Sequence, residues 1–140
     1  MIVKKIVLFL GTISVATAGF CGVGQLSGDT TCYIYKQDKL QKKLACQYEG
    51  AEGASSSYAF RQIDYTLPGF GKMATSNSAD YDDNGNHTGW TTTVNDEPAV
   101  IRYRAPSSKK VVSQAYAESG KEILECYLSK KSQWEICSES

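Results

Sequence analysis

Two segments decide the fold: CYIYKQDKLQKKLAC, Cys32 to Cys46, and CYLSKKSQWEIC, Cys126 to Cys137. Each begins Cys-Tyr-(Ile/Leu)-x-Lys, ends on a cysteine and has a short lysine-bearing centre. Residues suited to strands flank both centres. Folded as hairpins, the second centres on Lys131-Ser132 and sets Cys126 opposite Cys137. The first centres on Asp38-Lys39-Leu40 and sets Cys32 opposite Cys46. Cross-strand neighbours lie about 4.5–5.5 Å apart at Cα, within the range a disulfide spans. Disulfides Cys32–Cys46 and Cys126–Cys137 are therefore expected, with Cys21 left over. Shared hairpin chemistry accounts for the likeness of the two segments without an internal repeat.

Outside these segments, short β-rich runs recur between turn residues, and no window holds apolar spacing at three and four. Strands are expected at 31–36, 42–49, 58–65, 72–78, 89–94, 100–104, 111–118, 122–129 and 133–137. Leu67-Pro68-Gly69, Asn84-Gly85, Asn95-Asp96 and Ser119-Gly120 suit the turns between them. Regular spacing of short strands predicts a mainly β fold, a small antiparallel sandwich or barrel of about seven to nine strands. One alternative concerns residues 107–117, where Ser107 or Ser108 would cap a short helix. The small, polar run EGAEGASSS, Glu49 to Ser57, reads as a mobile connection.

At the N-terminus, MIVKKIVLFLGTISVATAGFC has the zones of a secretory leader. Lys4 and Lys5 precede an apolar run, and Ala16-Thr17-Ala18 is a small-x-small cleavage pattern. Ile6 to Phe20 is short of the roughly 18–20 residues that span a bilayer. Cleavage after Ala18 leaves residues 19–140 as a single exported domain in the periplasm or outside the cell. There the solvent is oxidising and disulfides persist. Cys21 raises the alternative of a lipid-anchored envelope protein, although Phe20 fits poorly before a lipidated cysteine.

Taking Lys4 and Lys5 from the 15 basic residues leaves 13 against 15 acidic ones, a net charge of −2. Nucleic-acid binding normally shows a strong basic excess, so it is not expected. One histidine and no C-x-x-C spacing leave no zinc set.

The stretch ADYDDNGNHTGW, Ala79 to Trp90, carries the chain's one histidine. Asp80, Asp82 and Asn84 stand where a calcium loop needs ligands 1, 3 and 5, and Gly85 stands at the turn. Position 12 is Thr91, so the bidentate carboxylate is missing unless Asp96 or Glu97 swings in. A tight type I′ turn on Asn84-Gly85 explains the same residues without an ion. His87 has no nucleophile signature around it, and the clustered acids lie in turns rather than a recognisable cleft. No enzyme and no obligatory cofactor are expected.

The charge layout carries more. Lys36, Lys39, Lys42 and Lys43 surround the first hairpin tip and Lys130 and Lys131 form the second, while acids gather near residues 80–97. Lysines there protect edges or form a basic end that docks on an acidic partner. Trp90, between Gly89 and Thr91, is the aromatic expected to stay partly exposed. Tyr33, Tyr127 and Trp134 are expected to pack beside the disulfides. These features point to a small exported binding protein, in its sharpest form an inhibitor or immunity-type protein that neutralises an envelope-acting enzyme with an exposed loop, such as Glu49–Ser57 or Asp80–Trp90. Lys39, Lys42, Lys130, Lys131 and Trp90 are the candidate contacts. A calcium-dependent adhesion or carbohydrate-binding module is the rival reading.

Overall fold

The computed structural model describes residues 22–139. The expected leader, residues 1–18, and the candidate lipidation site Cys21 lie outside them. The elements run β1 (Val23–Lys36), β2 (Lys39–Ala54), β3 (Ala59–Leu67), β4 (Gly71–Tyr81), β5 (His87–Val94), β6 (Glu97–Arg104), β7 (Val111–Val112), α1 (Gln114–Ala117), β8 (Leu124–Ser129) and β9 (Trp134–Glu139).

All pairings are antiparallel, in the order β5-β4-β3-β2-β1-β9-β8-β6-β7, and β5 also pairs with β6. That last contact, Thr93 with Pro98 and Val94 with Glu97, joins the two ends of the sheet. The result is an up-and-down barrel, closed where the hairpin turns lie and open at the far end. There β1 to β5 run on beyond β6, β8 and β9 as an extended sheet.

Strand alternation fills the barrel. Ile34, Cys32, Cys46, Ile63, Tyr65, Leu67, Met73, Val94, Tyr127 and Ile136 form one buried cluster. Outward positions on the extended sheet, such as Gln25, Gln47, Glu49, Gln62 and Asp64, are exposed. No helix of the described residues is long and apolar enough to cross a membrane.

A second cluster, Tyr33, Tyr35, Leu124, Cys126 and Cys137, lies on the outer face. These odd-numbered β1 residues alternate with the inward Cys32 and Ile34, so β1 is buried on both sides there.

Both disulfides are present. Cys126 faces Cys137 directly, with Cα atoms 4.0 Å apart. Cys32 and Cys46 do not face each other: Cys32 lies opposite Leu44 and Cys46 opposite Thr30. The turn sits at Gln37-Asp38 rather than at 38–40, and a bulge follows Ile34. The bond is therefore diagonal, spanning 5.9 Å.

Two further expectations are corrected. The Glu49–Ser57 run is not one loop, because β2 continues to Ala54 with β1 and β3 on either side. Its small residues permit close strand approach: a Cβ on Gly50 would lie 1.9 Å from the Gln62 carbonyl oxygen. Only Ser55 to Tyr58 turns, closed by the Ser55 N–H on the Tyr58 carbonyl. In the 107–117 segment, the helix is a single turn capped by Ser113, whose Oγ accepts from the Tyr116 N–H, rather than by Ser107 or Ser108.

Candidate functional site

The turns of β1–β2, β3–β4, β5–β6 and β8–β9 all lie at the closed end of the barrel. Their residue types explain their shapes. Gln37-Asp38 and Asn95-Asp96 each hold two successive positive φ angles, the two-residue turn that matches strand twist. In the β8–β9 loop the Gln133 N–H bonds the Ser129 carbonyl, and Gln133 takes φ 65°. The pairing of β1 with β9 brings the two lysine-bearing tips together, where the Gln37 N–H donates to the Gln133 carbonyl at 3.2 Å.

Between these turns opens a cleft lined by Phe70, Lys72, Met73, Val94, Asn95, Glu97, Ser132 and Trp134. Phe70 meets Trp134 edge-on, with centroids 5.7 Å apart. The Lys36 ammonium stands 4.7 Å over the Trp134 ring, an arrangement attractive through the ring quadrupole. Phe70 is 41% exposed and Leu40, on the neighbouring tip, 48%. Lys39, Lys42, Lys130 and Lys131 are exposed on the same pole. Sequence reading missed Phe70, since a lone aromatic after Pro68-Gly69 gives no sign that a tryptophan distant in sequence will sit beside it.

The pole is held rigid from outside the barrel. Arg102 and Arg104 alternate along β6 and both point to Glu135 on β9, which is wholly buried. Arg102 makes bonds of 2.9 and 2.8 Å to the two Glu135 oxygens, and Arg104 bonds of 3.2 and 2.7 Å. The same two guanidiniums bond Asp38 Oδ1 at 2.5 and 2.9 Å, fixing the β1–β2 turn. Arg104 also lies over the Tyr35 ring at 3.9 Å and donates to the Lys109 carbonyl, tying down the connection between β6 and β7. Burial pushes the Glu135 carboxyl up, but the hydrogen bonds and charge of Arg102 and Arg104 more than offset it and hold it low. Asp38 is held low by its bond to Arg102. Sequence reading missed this quartet too. The available signal was Arg-x-Arg on one strand face and Glu-x-Cys on another, both of period two.

At the opposite pole the candidate calcium ligands have other partners. Asp80 accepts the Thr91 hydroxyl at 3.0 and 2.8 Å. Asp82 Oδ1 accepts the N–H groups of Asn84 and Asn86, both at 2.9 Å, which holds its carboxyl low. Asn84-Gly85 does not form a two-residue turn. Asp82 bonds Asn86 across a longer loop in which only Gly85 has positive φ. Trp90 is 55% exposed and meets His87 edge-on at 5.3 Å, and His87 leans on Tyr81 at 5.7 Å. Trp90 therefore lies on the far pole from the lysines. Among the described residues, the group of three acidic, histidine or cysteine ligand atoms that converges is Cys126, Glu135 and Cys137. Its sulfurs are bonded to each other and its carboxylate to two arginines, so it offers no ligand set.

Tyr33 and Tyr127 are buried in the clusters that hold the disulfides, as expected, while Trp134 is half-buried against the inner cluster and lines the cleft. No family model, curated protein or solved structure matches the chain.

Proposed function

We propose that the protein is an exported, non-enzymatic binding protein that seats an acidic partner on its lysine-bearing pole. In its sharpest form it is an inhibitor or immunity-type protein of an envelope-acting enzyme. The observation that carries this reading is the meeting of separate hairpin tips at one pole. It combines exposed Leu40 and Phe70, the Phe70–Trp134 cleft and a rim of lysines. An apolar, aromatic centre within a charged rim is the anatomy of a protein-recognition patch. A basic rim selects acidic partners and speeds their encounter. Two disulfides and the Arg102–Arg104–Glu135–Asp38 network keep that patch preformed, which lowers the ordering cost of binding.

The calcium-dependent reading has less support, since Asp80 and Asp82 are engaged with Thr91 and with loop amides.

Pull-down from an envelope extract tests the proposal. The wild type is expected to retain a partner with an acidic surface at low salt and to release it near 0.5 M salt, where screening is strong. The variant Lys39→Glu/Lys130→Glu/Lys131→Glu is expected to lose it. Retention by that variant at wild-type level, or no retained partner at low salt, overturns the proposal.

A further inference from the structure

Of the strand stretches that lack a neighbour on one side among the described residues, the three longest are not alike. The first half of β2, beyond the end of β3, carries Lys39, Lys42 and Lys43. The first half of β5 carries a register shift opposite Asp80/Tyr81. Lysines and bulges are the usual means of keeping an edge from pairing with another chain.

The third stretch is the first half of β1. It pairs with β2 throughout, but with β9 only from Cys32 onward. From Val23 to Thr31 it has a single charge, Asp29, no proline, no lysine and no register shift. Its polar edge is turned outward. The Gly22 carbonyl accepts from Ala54 on the β2 side, and the Gln37 N–H donates on the β9 side. Backbone direction alternates along an antiparallel strand. Val23, Gln25, Ser27 and Asp29 therefore aim their N–H and C=O groups away from β2.

We propose that this edge is a pairing surface for a second copy of the chain, joined antiparallel about a two-fold axis at Leu26. The sequence is self-complementary in that register. Leu26 faces its own copy as an apolar pair, Gln25 faces Ser27, and Asp29 faces Val23, so no like charges meet. A register centred nearer Asp29 would set Asp29 against itself or drive the incoming strand into β9. Pairing at Leu26 keeps it clear and joins the two extended sheets into one. The surface is independent of whatever the basic pole holds.

The test uses the processed protein purified from the periplasm, its N-terminus read by intact mass, with Cys21→Ser where cysteines are introduced. Sedimentation is expected to show a concentration-dependent dimer. Gln25→Lys/Ser27→Lys opposes like charges twice across the axis and is expected to weaken it about tenfold. Gln25→Lys/Ser27→Glu is expected to restore it. Both side chains are exposed, so the fold is kept, as circular dichroism will check. Leu26→Cys is expected to form an intermolecular disulfide under mild oxidation, and Gln25→Cys far less. A protein monomeric at millimolar concentration overturns the inference. So does a dimer indifferent to both charge variants.

Discussion

Tyr35 is buried with its ring beneath the Arg104 guanidinium, yet its hydroxyl has no hydrogen-bond partner among the described residues. Burial accordingly raises the pKa of this phenol. A buried hydroxyl without a partner pays its desolvation in full, whereas an apolar group of the same shape does not. Tyr35→Phe is thus expected to leave stability unchanged or raise it by up to about 1 kcal/mol, while Tyr35→Ala loses about 3–5 kcal/mol through the cavity it leaves. Urea denaturation of both variants checks this. A clear loss in Tyr35→Phe would mean that the hydroxyl has a partner.

Among the elements, the two disulfide hairpins do different jobs with similar covalent chemistry. Cys32–Cys46 lies in the barrel core and ties β1 to β2 diagonally, while Cys126–Cys137 lies on the outer face and ties β8 to β9. Closing 14- and 11-residue separations restricts the unfolded chain by about 3 kcal/mol each on the loop-entropy account. Removing either pair as alanines is expected to lower stability by about that amount in denaturant unfolding. Removal of Cys126–Cys137 should also speed hydrogen exchange in β8 and β9, the strand pair it joins, more than removal of Cys32–Cys46 does. Equal exchange there in both double variants would show that the bond does not act through its own strand pair.

For the whole molecule, acid is the sensitive condition. The carboxyls of Glu135 and Asp38 are held below their ordinary range by Arg102 and Arg104. A depressed folded pKa means the unfolded chain takes up protons first as pH falls. The stabilisation is therefore complete above the ordinary carboxylate range and is lost as pH drops through the depressed folded values. The melting temperature should be flat near neutrality and fall steeply below about pH 4. Glu135→Gln should flatten that fall while lowering stability at pH 7 by about 3–5 kcal/mol, since two buried-facing arginines lose their shared carboxylate. A wild-type acid slope retained in Glu135→Gln would assign the effect elsewhere.

Local sequence was enough for the mainly β class, both disulfide partners, the Lys131-Ser132 centre of the second hairpin and the burial of Tyr33 and Tyr127. Each depends on neighbours within a dozen or so residues, where alternation and turn chemistry act. It was not enough for the Val23–Thr30 half of β1 or for the helix that replaces most of the strand expected at 111–118. It misjudged Gly50 and its small neighbours as a loop, because composition cannot tell a residue that moves from one that lets two backbones touch. It also centred the first turn late, on Asp38-Lys39-Leu40 instead of Gln37-Asp38, because β2 carries an extra residue, Gln41, opposite Ile34 and Tyr35. The remaining contacts follow from the closed fold. Closure through the β5–β6 turn puts Phe70 against Trp134. The β1–β9–β8–β6 pairing sets Arg102 and Arg104 onto Asp38 and Glu135 and gathers the lysines at one pole, with Trp90 at the other. These contacts join residues 30 to 70 positions apart, and strand register, which no local pattern encodes, sets which of them meet.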